Sequence, residues 1–344
     1  MENKQVASDI LEALTQCTFL NELDRKTILI TGATGMIGSM LIKLLQTYNR
    51  QNQTHIHIVA HVRNLDKAKT LLAEYIDSNL EWVVGDICQP INYSQSIDYI
   101  IHCASATTSK YFVDQPVETI HTALSGTDNI LIFAKEKQAQ KVIYTSSLEA
   151  YGIPDTFEVD EQCNGHIDWT NVRSSYSEGK RMAECICRSY FSEYGIPVVI
   201  ARLAQTFGAG FAADDNRVYA QFSRAAANGT DIVLHTQGNT VRNYCYLTDA
   251  AVALLLLVAR GNAGEVYNVA NEDTTCSIAE MAQLAAGLSE GKTKVRFEIA
   301  DVQKLGYAPE VKIKLKSKKL QALGWNPQNS LNTMFTKTIN DLKA

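Results

Sequence analysis

An α/β fold with a doubly wound parallel sheet is what this 344-residue sequence predicts, and three observations carry the prediction. Short apolar, β-branched runs recur roughly every 20 to 30 residues, with helix-periodic segments between them. The first run, Thr27 to Thr31, leads into Gly32, Gly35 and Gly38 at three-residue spacing and then into a helix-periodic stretch, Met40 to Leu45. No internal repeat or low-complexity linker interrupts the alternation.

The glycine segment organises the rest. A strand, a glycine turn and a helix N-terminus together make an anion site, because backbone N–H groups and the positive end of the helix dipole point into the turn. Gly32 permits the tight turn, Gly35 lets a pyrophosphate approach the backbone, and Gly38 lets the helix lie close on the strand. Met36 and Ile37, which lie between the glycines, are expected to contact the cofactor with them. A dinucleotide is the expected ligand.

The elements follow in order. Within residues 1–25, Ile10, Leu11, Leu14 and Cys17 recur at helical spacing, which predicts an extra amphipathic helix. His55 to Val62 reads as the second strand. No aspartate or glutamate occurs between Ser39 and Leu65, and Arg63 stands where this type of site places an acid on the adenosine ribose. Arg63 either pairs with a 2′-phosphate, favouring NADP over NAD, or merely solvates a strand end. Leu80 to Val84 is the third strand, followed by Asp86 and Ile87; Asp98 to His102 is the fourth, running into Ala104. Small residues after a parallel strand let a ligand pass close to the backbone. Val113 to Lys135 is helix-periodic, Lys141 to Thr145 is a fifth strand and Pro197 to Ala201 a sixth. Residues 26–204 thus read as the dinucleotide-binding domain. Residues 205–344 read as mainly a smaller substrate-binding cap of loops, short helices and short strands, with 241–270 returning to the main sheet through Val266 to Val269. Ala250 to Ala259 is a buried helix, too short for a membrane span of about 20 residues.

Composition narrows the partners. Net charge is −5, and the densest basic run, Lys312 to Lys319, alternates with Ile313 and Leu315. That run is a solvated strand face, so no nucleic-acid partner is expected. The eight cysteines are scattered without metal-ligand spacing, so reduced thiols, no metal and a cytoplasmic setting are expected. The N-terminus has no signal pattern, and no membrane partner is expected.

The chemistry concentrates in SSYSEGKRMAE, where Tyr176 and Lys180 are four apart and share one helix face. An ammonium near a phenol favours the phenolate, so the pair can take a proton from a sugar hydroxyl as hydride leaves carbon. Ser147, at the end of the fifth strand, can hold the substrate oxygen. Glu149 either faces the same cleft or is an ordinary loop acid.

TGATGMIG, Asp86-Ile87, TSSLEAYG (145–152), YSEGK (176–180), RLAQTFGAG (202–210), VRNYCYLTDAA (241–251) and GWNP (324–327) occur in that order. This series resembles the extended short-chain dehydrogenases of the nucleotide-sugar epimerase/dehydratase family over roughly residues 26–340. The resemblance implies a Rossmann-type fold, bound NADP or NAD, a nucleotide-diphosphate sugar substrate, and a homodimer built from helices near 113–135 and 174–194. GHIDWTNVRSSYSEGKR (165–181) and DDNRVYAQFSRAA (214–226) are similar to the UDP-glucuronate decarboxylase branch. That likeness implies that Arg217 and Arg242 meet the diphosphate. Gln205 replaces the family's usual asparagine near the nucleotide. Leu148 replaces the dehydratase aspartate or the decarboxylase small hydroxyl residue.

Hydride transfer at sugar C4, as in a C4 epimerase or 4-keto reductase, is the leading expectation. UDP-glucuronate decarboxylation is the alternative within the same chemistry. A non-catalytic dinucleotide sensor is the alternative of another class, and the intact Ser147, Tyr176 and Lys180 weigh against it.

Overall fold

The apolar runs become strands buried on both faces, the condition that parallel sheets require. The computed structural model describes residues 3–299 and 310–344. Seven strands, β1 (Thr27–Thr31), β2 (His57–Val62), β3 (Leu80–Val84), β4 (Tyr99–His102), β5 (Lys141–Ser147), β6 (Val198–Leu203) and β7 (Val266–Val269), form one sheet. Their order is β7-β6-β5-β4-β1-β2-β3, with every adjacent pair parallel. The chain order reverses between β1 and β4, so a crevice opens at the carboxyl ends of those two strands.

Alternation along the strands feeds two apolar layers. Ile28 and Ile30 of β1 point into one cluster and Leu29 into the other. The first layer is closed by α1 (Lys4–Leu14), α2 (Met36–Asn52) and α6 (Leu247–Arg260), the second by α3 (Pro116–Lys137) and α4 (Ser174–Tyr194). Helix α6 is buried from Leu247 through Val258, which accounts for its continuous apolar sequence. Among the described residues no helix is long and apolar enough to cross a membrane.

The C-terminal region is more regular than its sequence suggests. Helices α5 (Val218–Asn228), α7 (Ile278–Gly287) and α8 (Leu331–Lys343) surround a three-stranded sheet of Gln205–Phe207, Val241–Tyr246 and Asn271–Ser277. Their core is aromatic: Phe207, Tyr219, Phe222, Tyr244 and Phe335 pack with Met281. Helix α7 starts with a capping box between Ser277 and Glu280, an N-terminal signal legible in the sequence. Val266–Val269 lies at the edge of the seven-stranded sheet, while Val241–Tyr246 belongs to the smaller one. In the basic run, Ile313 and Leu315 are buried, Lys316 makes a half-buried pair with Glu272 at 2.5 Å and Lys319 pairs with Glu265.

Helix α1 ties the two regions together. Asn3 caps it by accepting from Gln5 N and Val6 N, both at 3.1 Å. Val6, Ile10, Ala13 and Leu14 are buried, whereas Leu11, expected on that face, is 49% exposed. On the buried face sits Asp9. It accepts from Gln5 Nε2 at 2.9 Å and from the Tyr246 hydroxyl, and pairs with Lys337 of α8 at 3.2 Å. Substituting Asp9→Ala leaves a buried tyrosine hydroxyl without an acceptor and should cost about 1–3 kcal/mol. Urea unfolding of both proteins measures this; an unchanged midpoint would show that α1 is an ornament of the fold rather than a strut.

Candidate active site

The glycine turn is built from close backbone contacts, which admit no side chain at Gly32 or Gly38. Gly32 has φ +62°, and a Cβ there would lie 2.8 Å from Ala104 N and from the Cys103 carbonyl carbon. A Cβ on Gly38 would lie 2.3 Å from the Gly32 carbonyl oxygen, and one on Gly35 3.1 Å from it. Helix α2 begins at Met36 with no side-chain cap and no acid in its first turn, so its leading N–H groups have no side-chain acceptor. These features fit a dinucleotide diphosphate.

Around this turn the predicted contacts spread unevenly. Ala104 lies at the end of β4, its N–H donating to Thr31 Oγ1 at 3.2 Å. Ile87 is buried and packs on Gly126 of α3. Asp86 is exposed and its Oδ1 accepts from Cys88 N at 2.8 Å. Arg63 is exposed directly after β2, and Asp66 lies in the first turn of the helix Leu65–Leu71 that follows.

The end of β5 and the start of α4 bring four predicted residues together. The Ser147 side chain stands close enough to the Tyr176 phenol to favour its ionised form, and its hydroxyl accepts from Glu149 N at 3.2 Å. The Lys180 ammonium donates to Thr145 O at 2.7 Å and lies 5.9 Å from the Tyr176 ring centroid. Glu149 accepts a two-pronged bond from Arg173, Nη1 to Oε2 at 2.8 Å and Nη2 to Oε1 at 3.1 Å. Ser177 adds a bond to Oε2 at 3.2 Å. Burial alone would push the Glu149 carboxyl up, but the Arg173 guanidinium outweighs it and holds the acid below the usual carboxylate range. At Tyr176 the balance runs the other way. Burial and then the Glu149 charge push the phenol up, against the opposing influence of Ser147, Arg173 and Arg217.

From the C-terminal region come Gln205, Arg217 and Arg242. Gln205 starts a strand and pairs in register with Tyr244. Arg217, at the N-cap of α5, is held by Asp215, with Nε 3.0 Å from Oδ1 and Nη2 2.5 Å from Oδ2. Its charge favours the ionised form of the Tyr176 phenol. Arg242 acts on Glu149, and its Nε is buried without a partner. Leu148 is buried within the larger apolar layer.

Three functional neighbours escaped the sequence reading. Arg173 sits three residues before Tyr176, inside a quoted segment, but nothing local signals that its partner is Glu149. Phe112 stacks on the Tyr176 ring at 4.2 Å and 9°. Thr31 Oγ1 accepts from Cys103 N and Ala104 N, so its own hydrogen goes to His102 Nδ1 at 2.7 Å. Burial pushes His102 down to about 3, so the ring is neutral at working pH.

Lys180 gives a stability signature. Burial lowers its ammonium from 10.5 to about 8. The unfolded chain therefore binds more protons than the fold between those values, and this residue makes stability rise with pH across that window. Replacing it, Lys180→Met, should remove the rise: relative to wild type, the variant gains more at pH 7 than at pH 10. Urea midpoints at the two pH values test this, and a constant difference would contradict it.

The profile of the NAD dependent epimerase/dehydratase family matches residues 28–270. UDP-glucuronic acid decarboxylase 1 of Danio rerio is 31% identical over 324 residues, 93% of this chain and 73% of that protein. The dTDP-D-glucose 4,6-dehydratase of Homo sapiens is 25% identical over 321 residues, 91% of this chain and 89% of that protein. Among solved structures, UDP-glucose 4-epimerase of Thermotoga maritima superposes with a TM-score of 0.75 at 22% identity, covering 92% of this chain and 98% of that one. These likenesses set aside a non-catalytic sensor: the chain is an enzyme of nucleotide-sugar type and belongs to the NAD dependent epimerase/dehydratase family.

Proposed function

We propose that the enzyme works by hydride transfer at carbon 4 of a nucleotide-linked sugar, as a C4 epimerase or a 4-keto reductase. One observation carries the reading: Tyr176 has Ser147 beside it at the end of β5 and Lys180 one turn along its own helix, and the nearby carboxylate Glu149 is held ionised by Arg173. The nicotinamide dinucleotide that fits the glycine turn takes up and returns hydride when bound. The chain's part is to place the sugar hydroxyl on Ser147, move its proton through Tyr176, and use Lys180 to orient the neighbouring ribose.

Elimination of water from the sugar needs an acid as well as a base. Leu148 has no proton to give, and Glu149, paired to a guanidinium, is a poor donor near neutral pH. Decarboxylation asks for less, and the 31% identity to a UDP-glucuronic acid decarboxylase favours it as the second reading. Against it, a substrate carboxylate beside Leu148 would lack a hydrogen-bond donor, at a cost of roughly 1–3 kcal/mol. The exposed apolar residues Val117, Ile120 and Ile132 on α3 and Met182 on α4 support pairing of two copies through these helices.

The Tyr176→Phe variant should bind dinucleotide normally and lose at least about 100-fold in turnover. The assay offers UDP-glucuronate, UDP-hexoses and nucleotide-linked 4-keto-6-deoxyhexoses. Carbon dioxide with a UDP-pentose would establish the second reading instead, and a 4-keto-6-deoxy product from a nucleotide hexose would overturn the argument from Leu148. Near-normal turnover by the variant would remove Tyr176 from the mechanism.

The finer cofactor preference is NADP over NAD, supported by the exposed Arg63 and the missing acid at the end of β2. A guanidinium–phosphate pair should give about tenfold to a hundredfold tighter binding of NADP. Titration of both dinucleotides decides; equal affinity, or tighter NAD, refutes the preference.

A further inference from the structure

Arg173 occupies the N-cap of α4, a position where helices favour a side chain that accepts hydrogen bonds. A guanidinium has no acceptor, so capping does not explain it. Its partner does. Arg173 and Glu149 are 13% and 23% exposed, and the two-pronged bond fixes the plane of the carboxylate. Arg173 also lies 5.8 Å from the centroid of Phe112, the ring on which Tyr176 stacks. Glu149, Arg173, Phe112 and Tyr176 therefore form one packed unit around the phenol.

We infer that Arg173 is a positioning residue that neutralises Glu149 so that Tyr176 can release its proton in the working pH range. The inference rests on the reading of Tyr176 as proton carrier. Its physical basis is that two anions at short range oppose each other's formation. An unpaired Glu149 would resist the phenolate that proton transfer creates; a paired one resists it far less.

The other groups around the phenol leave this task to Arg173. From α4 itself come Arg173 and Lys180, and Lys180 directs its ammonium to Thr145 O. From β5 and the turn after it come Tyr144, Ser147 and Glu149, of which only Glu149 is charged. Arg217 acts from α5 but is itself bound to Asp215, and Arg242 reaches Glu149 without a hydrogen bond to it. Arg173 is the group in direct contact with the acid. Arginine suits the role better than lysine because its planar fork holds both carboxylate oxygens at once.

The test uses the full chain and the substrate identified from the nucleotide-sugar panel. In Arg173→Gln the acid limb of the kcat profile should move to higher pH by about one unit or more, while the dinucleotide Kd stays within about twofold. Arg173→Lys should fall between the variant and wild type. Adding Glu149→Gln to Arg173→Gln should bring the limb back, whatever happens to its height, because the charge to be offset is gone. A second readout needs no turnover: in carbon-13 NMR of labelled glutamate carboxyls, the Glu149 signal, assigned by its loss in Glu149→Gln, should titrate at higher pH in Arg173→Gln. A limb that does not move in Arg173→Gln, or is not restored in the double variant, overturns the inference. Tyr176→Phe turning over normally would instead overturn the reading beneath it, and the carboxyl titration would still report whether Arg173 holds Glu149 ionised.

Discussion

The structure depends on how closely α2 can lie against the end of β1. The contact is backbone on backbone, between Gly38 and the Gly32 carbonyl and between Gly32 and the Cys103–Ala104 peptide. A methyl group at Gly38 would overlap an oxygen that cannot swing aside. That approach sets backbone against backbone at the point where the strand order reverses between β1 and β4. Thr31 stitches the floor of the crevice there. Its hydroxyl takes two backbone N–H groups from the β4 end and gives its hydrogen to a neutral His102, so one short side chain satisfies three polar groups.

The second wall is α4, and its register is set from beneath. Glu184, one turn beyond Lys180, accepts from Ser146 on β5 and from Arg202 on β6, whose Nη2 is 2.7 Å away. Arg202 in turn covers the Tyr151 ring at 4.4 Å and donates to the Glu161 carbonyl. Buried ion pairs of this kind add little net stability, since desolvation offsets their attraction. Their directional bonds fix where a helix sits along two strands. Ser146 and Ser147 are adjacent, so the residue that anchors the helix through Glu184 stands next to the one that influences the Tyr176 phenol.

The sheet was legible because its signal is local: all seven strands and the buried helix read at Ala250 to Ala259 follow from short apolar runs, and the glycine spacing marks the turn. Ser147, Tyr176 and Lys180 were legible from chain position alone. What the sequence hid was pairing across distance. Arg173 and Glu149 are 24 residues apart, and neither carries a local mark of the other. Helices α5, α7 and α8 escaped for a different reason. The apolar faces of α5 and α7 are rich in alanine, whereas α8 carries a plain stripe in Leu331, Met334, Phe335 and Ile339; all three form against each other rather than against the main sheet, where no strand periodicity marks them. Leu11 was misplaced because the helix face is set by Asp9 and its partners Tyr246 and Lys337, all remote in sequence.

Charge pairing in the cleft separates the two arginines that the sequence alone treats alike. Arg217 has its guanidinium engaged by Asp215, so an anion arriving there must compete with a carboxylate already bound. Arg242 shows the opposite condition: its Nε is buried with no partner, which is costly to leave so unless a ligand supplies an acceptor. In the nucleotide-sugar reading, the diphosphate therefore gains most from Arg242, while Arg217 contributes field more than contact. In the same reading, tying Glu149 to Arg173 leaves the Arg242 guanidinium free of that carboxylate, so an arriving diphosphate does not have to displace it.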